Sequence, residues 1–393
     1  MPLLERYFGL IILALRFASL QSFVYRPDPI TSSTLILAAM TMSMSPENNH
    51  NATHPSIASV SDQSSTDGES MSVCSSNSSS HYEELIVAPH VGYKKVLVTG
   101  GAGFVGLSVA EALLAREDDV VIVDEMNDYY DLRMKENNLR RLKELYPQDG
   151  RLAIYRGDIC DEQLMHSLFE KERPRWVCHM AARAGVRPSI QDPYVYIHSN
   201  IVGTTLLMEM SHKFGVQNFV FASSSSVYGG SKSTYFSEEE NVDNPVSPYA
   251  ATKKACELLA HTYHHLYNLN VSGLRFFTVY GPRGRPDMAP FKFVDRISRG
   301  VEIQKFGDGT SSRDYTYISN IVDGVLWSID RRYAYQVFNV GKGDDTSLNA
   351  FISLVEEHAG RKAVIVDGAR SSHGWHRGEG HDGGQKGRAE QDV

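Results

Sequence analysis

The sequence has no basic surplus: 47 aspartates and glutamates outnumber 39 lysines and arginines, for a formal net charge of −8. Nucleic acid therefore meets no general attractive field, and any anion must be held at a local site. Cysteine is scarce as well. Cys74, Cys160, Cys178 and Cys256 are too few and too scattered for a disulfide scaffold or a zinc site, so no metal is expected. Three of them lie in apolar or helical segments and read as buried free thiols. No internal repeat is present. What the 393 residues do have is a hydrophobic fraction of 42% and an aromatic fraction of 10%. That is enough for a proper core, spread over two domains or one large domain with a satellite.

Both ends depart from this composition. Residues 7–24 are largely apolar but are interrupted by Arg16 and Gln21. An arginine near the middle of a membrane span costs about 2.5–3.5 kcal/mol. The run Tyr7–Leu15 also fits the apolar core of a signal peptide, with Glu5 and Arg6 as polar flank. Two readings stand: a membrane anchor or export leader, placing the chain in the secretory pathway or Golgi membrane, or an unstructured extension of a cytoplasmic protein. Residues 41–82 are rich in Ser, Asn and Asp and read as a disordered linker, which carries the sequons at Asn51 and Asn77. Residues 1–92 are thus assigned to leader and linker. At the far end, residues 367–393 form a Gly-, His- and Arg-rich string without a period of 2 or 3.6 and are expected to form neither strand nor helix.

Between these ends, short apolar runs alternate with helical spacing. Strands are expected at 95–99, 120–124, 151–156, 176–180 and 218–223, and helices at 104–115, 161–171 and 200–213. This alternation predicts an α/β fold, a doubly wound parallel sheet covered on both faces. A Rossmann-like domain is assigned to 93–275, and a smaller substrate region, part of it returning to the first domain, to 276–366.

The first strand runs into Thr99-Gly100-Gly101-Ala102-Gly103-Phe104-Val105-Gly106. Gly100, Gly103 and Gly106 stand where a tight turn, a close pyrophosphate and a close helix each exclude a β-carbon. Phe104 and Val105 open the helix whose N–H groups face the phosphates. Asp124 closes the second strand, where a carboxylate accepts from the adenosine ribose hydroxyls and repels a 2′-phosphate, so NAD is favoured over NADP. Asp158 and Ile159 end the third strand and could cradle the adenine; alternatively Asp158 or Asp161 caps the next helix. Met180, Ala181 and Ala182 end the fourth, small enough at its tip for a cofactor to cross.

Ser247-Pro248 is a helix start, with serine as cap and proline at the first helical position. Tyr249 and Lys253 follow on one helical face. A pair at this spacing is frequent by chance, but here Ser223-Ser224-Ser225-Ser226-Val227-Tyr228 ends the fifth strand, on the side where such sheets bind ligands. Serine, tyrosine and lysine beside a nicotinamide make a proton relay. The ammonium favours tyrosinate, and Tyr249 can then accept a proton from a sugar hydroxyl.

These residues resemble the extended short-chain dehydrogenase/reductase family and, within it, the UDP-glucuronate 4-epimerases. The resemblance spans about residues 94–360. It includes Asp124 through Asn127-Asp128-Tyr129-Tyr130-Asp131, Ala181–Arg187, Ser223–Gly229, Ser247–Lys254, Leu274–Pro282, Gly284–Ala289 and Arg313–Ile318. It implies NAD regenerated in each cycle while the C4 hydroxyl of a UDP-sugar is oxidised and re-reduced on the other face. It further implies that Asn200 and Phe276 flank the cofactor, that Arg187 and Arg313 contact the substrate (Arg313 at its diphosphate), and that the chain is a homodimer. The relay serine by resemblance is Ser224. Ser226, on the same face of an extended strand, is the second choice.

Related dehydratases and decarboxylases carry an acidic residue just before Val-Tyr-Gly; this chain has Ser225-Ser226, so no acid or base is supplied for elimination. Thr278 stands where epimerases of neutral hexoses carry asparagine. Arg285 could pair with a C6 carboxylate through its planar fork, or could only brace its own loop through Asp287. The alternatives are a 4-epimerase of a neutral UDP-hexose and a protein that binds NAD without turnover. Family members continue for several tens of residues past position 365, and the tail does not resemble that ending, so the substrate domain is expected to be incomplete.

Overall fold

Alternate residues of the central strands enter opposite faces of one sheet, and both faces are covered, which is why these strands read as unbroken apolar runs. The computed structural model describes residues 86–87 and 92–368, apart from 148, 149, 230, 232 and 234. In chain order the strands are β1 (Ile86–Val87), β2 (Lys95–Thr99), β3 (Asp119–Asp124), β4 (Leu152–Arg156), β5 (Trp176–His179), β6 (Asn218–Ser224), β7 (Val271–Phe276), β8 (Thr278–Tyr280), β9 (Ile303–Phe306), β10 (Ser312–Arg313), β11 (Tyr315–Tyr317), β12 (Arg332–Tyr333), β13 (Tyr335–Val340), β14 (Thr346–Ser347) and β15 (Ile365–Gly368). Seven of them form a sheet in the order β13-β7-β6-β5-β2-β3-β4, and every pair in it is parallel. The doubly wound architecture expected from the alternation is what is observed. The order reverses between β2 and β5, so the crevice at their carboxyl ends is the place for a ligand.

Val96, Val98, Val120 and Ile122 face one side; Leu97, Val121 and Val123 face the other. On the first side lie α1 (Phe104–Ala115), α2 (Leu132–Leu145) and the late helix Ile318–Asp330. In that helix Ile318, Ile321, Val322, Val325 and Ile329 recur at helical spacing and join the cluster with Ala110, Leu113 and Leu114 of α1. On the second side lie α3 (Glu162–Glu172), which follows β4, then, after the short helices α4 (Val186–Gln191) and α5 (Pro193–Tyr196), α6 (Gly203–Lys213) and α7 (Pro248–Tyr267), the short pair packing on α7. Met165, Leu168 and Phe169 of α3 meet Leu207, Met208 and Met210 of α6 and Cys256 and Ala260 of α7. Burying each of these Leu, Met and Phe side chains contributes about 1.5–3 kcal/mol.

The expected strand ends agree with the observed ones within one residue. Helix 104–115 is observed as such, and 161–171 appears as α3. The stretch 200–213 divides: Ile197–Val202 is a π-helical turn and α6 begins only at Gly203. Three other differences stand out. The leader stretch contains β1, which pairs antiparallel with β12. The string from 367 does not begin without structure, because β15 runs through Asp367 and Gly368, parallel to β9. The strand β7 and the helix α2 appear where no element was expected. Residues 7–24, both sequons, the linker 41–82 and the tail beyond 368 lie outside the described residues. Among the described residues no helix is long and apolar enough to cross a membrane. Cys178 and Cys256 are buried free thiols as expected, whereas Cys160 is half-buried.

Candidate active site

The loop from β2 to α1 is built around missing β-carbons. Gly100 has φ +66, and a β-carbon there would sit 2.8 Å from the backbone of Ala181. A β-carbon on Gly106 would strike the carbonyl of Gly100. The Gly103 N–H donates to Gly100 O at 3.0 Å, and Leu107 N donates to Gly103 O at 3.0 Å. Gly103 caps α1 without a side-chain hydrogen bond. The N–H groups of Phe104, Val105 and Gly106 therefore have no intrahelical acceptor and point out of the turn, as an anion site requires. Phe104 itself is buried in the core, so it reaches a ligand through its backbone.

Asp124 ends β3 almost fully buried, accepting from Ala102 N at 3.1 Å and from Met126 N at 2.9 Å. Lys135 Nζ lies 3.8 Å from it. The carboxylate thus ties the glycine loop to the next turn. Asp158 Oδ1 accepts from Cys160 N at 2.9 Å, and Oδ2 lies 3.1 Å from His198 Nε2. Burial pushes the Asp158 carboxyl up, but the Cys160 and His198 hydrogen bonds outweigh it and hold the group below its ordinary range. The capping role goes to Asp161, which accepts from Leu164 N. Ile159 is buried against Gly203.

Behind Met180, Ala181 and Ala182, His179 is fixed between Thr99 Oγ1 at 2.7 Å and Thr204 Oγ1 at 2.9 Å. Thr99 Oγ1 in turn accepts from Ala181 N at 3.1 Å. Burial, with the Lys253 charge nearby, lowers the His179 pKa to about 3, so the imidazole is neutral. Asn200, in the π turn, spends its amide internally. Its Oδ1 accepts from Arg183 N at 2.9 Å, and its Nδ2 donates to Arg183 O and Thr252 Oγ1, both at 3.0 Å. Asn200 therefore clamps the strand tip to α7, and a π turn is a frequent mark of such a place.

At the end of β6, Ser224 Oγ accepts from Ser226 N at 3.1 Å. The strand stops there and Ser225–Tyr228 forms a 3₁₀ turn. The argument that Ser226 shares a strand face with Ser224 is thereby overturned, because a period of 2 ends where the backbone coils. Ser247 caps α7 by accepting from Ala250 N at 3.1 Å, with Pro248 in the first turn, as expected. Lys253 is buried and donates to Ala222 O of β6 at 2.7 Å, which fixes the helix face bearing Tyr249 against the strand that ends in Ser224. Tyr249 N donates to Ser189 Oγ at 3.1 Å, and its ring meets Tyr196 edge-on at 6.1 Å. Phe276 ends β7, beside Ser224 in register.

On the other side, Thr278 opens β8, opposite Tyr315 of β11. Arg313 lies in β10, opposite Thr346 of β14. Arg187 of α4 stacks over the Phe306 ring at 4.4 Å. Arg285 forms a two-point pair with Asp287, Nε to Oδ1 at 3.0 Å and Nη2 to Oδ2 at 2.5 Å. It also lies over the Tyr129 ring at 5.2 Å. The phenols of Tyr129 and Tyr196 both donate to Ala184 O, at 2.8 and 3.0 Å. Neither tyrosine was singled out from the sequence, although Tyr129 lies inside the Asn127–Asp131 string. Glu257 was missed too, one turn beyond Lys253 and paired at depth with Arg275.

The sequence model of the NAD dependent epimerase/dehydratase family matches residues 96–341. Over 268 residues, 68% of this chain and 81% of that protein, the sequence is 46% identical to the UDP-glucuronate 4-epimerase of Thermodesulfobacterium geofontis. It is 45% identical over 278 residues to UDP-glucuronate 4-epimerase 2 of Arabidopsis thaliana, covering 66% of this chain and 63% of that one. The structure is similar to that of UDP-glucuronic acid 4-epimerase from Bacillus cereus in complex with UDP-glucuronic acid and NAD. The TM-score is 0.64 at 34% identity, over 70% of this chain and 85% of that chain.

Proposed function

The chain belongs to the NAD-dependent epimerase/dehydratase family, and from that premise we propose that it interconverts UDP-glucuronate and UDP-galacturonate. What supports this reading is Lys253, one turn beyond Tyr249 on α7, held against the strand that ends in Ser224, with Tyr249 near enough to the Arg285 guanidinium to reinforce its charge. The glycine loop fits a dinucleotide, since β-carbons at Gly100 and Gly106 would strike the Ala181 backbone and the Gly100 carbonyl and open the tight turn that brings N–H groups to a pyrophosphate. NAD, when bound, supplies the acceptor and later the donor of the C4 hydride.

The chain's own residues do the rest. The N–H groups of Phe104, Val105 and Gly106 hold the pyrophosphate, Asp124 the adenosine ribose, and Asp158 and Ile159 the adenine edge. Met180, Ala181, Ala182 and Phe276 wall the ring, and Asn200 keeps that wall against α7. Tyr249 takes the C4 hydroxyl proton and gives it back, with Lys253 beside it on the same helical face and Ser224 orienting the hydroxyl. Arg187 and Arg313 bind the nucleotide, and Thr278 and Arg285 the C6 carboxylate. On this reading residues 93–275 carry the dinucleotide and 276–366 the sugar nucleotide. We also infer a homodimer, because Leu258 and Leu266 of α7, eight residues apart, are exposed; light scattering on the eluting protein reads it.

The test is to incubate the purified chain with UDP-glucuronate and resolve the product sugars. UDP-galacturonate should form, and Tyr249→Phe should abolish turnover while NAD stays bound. A chain that epimerises UDP-glucose in preference would overturn the uronate assignment, and near wild-type turnover in Tyr249→Phe would overturn the relay.

A further inference from the structure

Arg285, Pro286 and Asp287 form a turn whose geometry bears on substrate choice. Met288 N donates to Arg285 O at 3.2 Å, closing a four-residue turn with proline second and Asp287 third. Pro286 fixes its own φ near −65°, so the spacing between Arg285 and Asp287 is set before any ligand arrives. The Arg285 side chain is 20% exposed and that of Asp287 33%.

A guanidinium has two edges able to meet a planar carboxylate. The side edge is made by Nε and Nη2, the end edge by Nη1 and the second Nη2 proton. Asp287 takes the side edge with both oxygens. The end edge meets only the Tyr129 hydroxyl, 3.3 Å from Nη2, and Nη1 meets no hydrogen-bond partner among the described residues. The Tyr129 hydroxyl donates to Ala184 O at 2.8 Å, with Asp287 Oδ2 a longer second acceptor at 3.5 Å, and its oxygen accepts from Arg285. Burial works against the Arg285 charge, but Asp287 outweighs it, with the phenols of Tyr129 and Tyr249 adding to it, so the guanidinium stays charged within reach of Tyr249.

We propose that Asp287 is a positioning residue for substrate selection. It grips Arg285 by the side edge, with Tyr129 beneath, and thereby presents the end edge, where Nη1 is unengaged, as a fixed receptor for the sugar carboxylate. This rests on the uronate reading above and adds that selectivity resides in a fixed pair rather than in one mobile arginine. An unheld arginine would have to lose rotamer freedom on binding, and Asp287 makes that loss part of folding. The two readings considered from sequence, brace and receptor, then become one device.

The experiment titrates the NAD-loaded full chain with UDP-glucuronate and, separately, with UDP-glucose, by calorimetry. In wild type the uronate binds more tightly. Asp287→Asn keeps the shape but loses the charge; it should weaken UDP-glucuronate by about tenfold, the scale of one charged hydrogen bond, and spare UDP-glucose. The loss should appear in KM more than in kcat, and Asp287→Glu should restore part of it. Tyr129→Phe, which keeps the ring and removes only the hydroxyl, should show a smaller loss in the same direction. Parallel weakening of both nucleotides would make Asp287 a plain structural brace and overturn the proposal. Tighter uronate binding in Asp287→Asn would show that Asp287 competes with the substrate, and would overturn it equally. If wild type shows no preference for the uronate, the functional reading itself fails, a result distinguishable from the other two.

Discussion

Replacing Glu257 by glutamine should cost this protein a large part of its stability. The carboxylate, 2% exposed, accepts from Arg275 Nε and Nη2, both at 2.9 Å, and from Ser223 Oγ at 2.6 Å; the Arg275 side chain is 3% exposed. An amide offers one oxygen where two are used, and its NH₂ would face a donor. Lys254, 3.9 Å from the same carboxylate, would then only repel the unbalanced guanidinium. Breaking a buried pair in this way costs about 3–5 kcal/mol, against a total of roughly 5–15 kcal/mol for a typical domain. At about 2–4 °C per kcal/mol, melting should fall by roughly 6–20 °C. Urea and thermal unfolding of the NAD-loaded protein, followed by circular dichroism, measure it. A change below about 0.5 kcal/mol, the range of an ordinary surface substitution, would refute the reasoning. The double variant Glu257→Leu with Arg275→Met removes both charges and should recover most of the loss. If it is no better than the worse single variant, the cost was never that of an unpaired charge.

Gly106→Ala should empty the dinucleotide site, because the added carbon meets the Gly100 carbonyl; a variant that still releases one NAD per chain on denaturation would contradict the cradle. His179 gives a pH dependence of definite sign. Its folded pKa, near 3, lies below the unfolded value of 6.5, so its contribution is complete above pH 6.5 and is lost as pH falls toward 3. The slope is about 1.4 kcal/mol per pH unit in that window. Urea unfolding at pH 7 and pH 5 should therefore show a smaller drop in His179→Asn than in wild type, and equal drops would count against a buried neutral imidazole.

What was legible in the sequence was local. The glycine spacing, the Ser247-Pro248 helix start and the Tyr249–Lys253 face each need only a few consecutive residues, and each lies in the element expected. Helix α2 escaped notice because it is mostly polar: Lys135, Leu139 and Leu142 are its buried residues, and its start is marked only by Asp131 accepting from Arg133 N. Strand β7 contains Gly273 and Arg275, which break an apolar run. Arg275 is tolerated there because Glu257 arrives from another element, a fact no window along the chain contains. The placement of Ser226 failed for a related reason, since a strand period was carried past the residue where the chain coils.

The edge strand β13 has a consequence for how the protein is made. It pairs with β7 alone, residue by residue from Tyr335↔Val271 to Val340↔Phe276, yet it is synthesised long after β7. At roughly 5–20 residues per second, the ribosome leaves the outer edge of β7 open for several seconds. During that time its backbone N–H and C=O groups are a template for any other extended chain. The nascent protein must therefore emerge into the care of a holding chaperone, or fold quickly enough elsewhere to keep that edge out of reach.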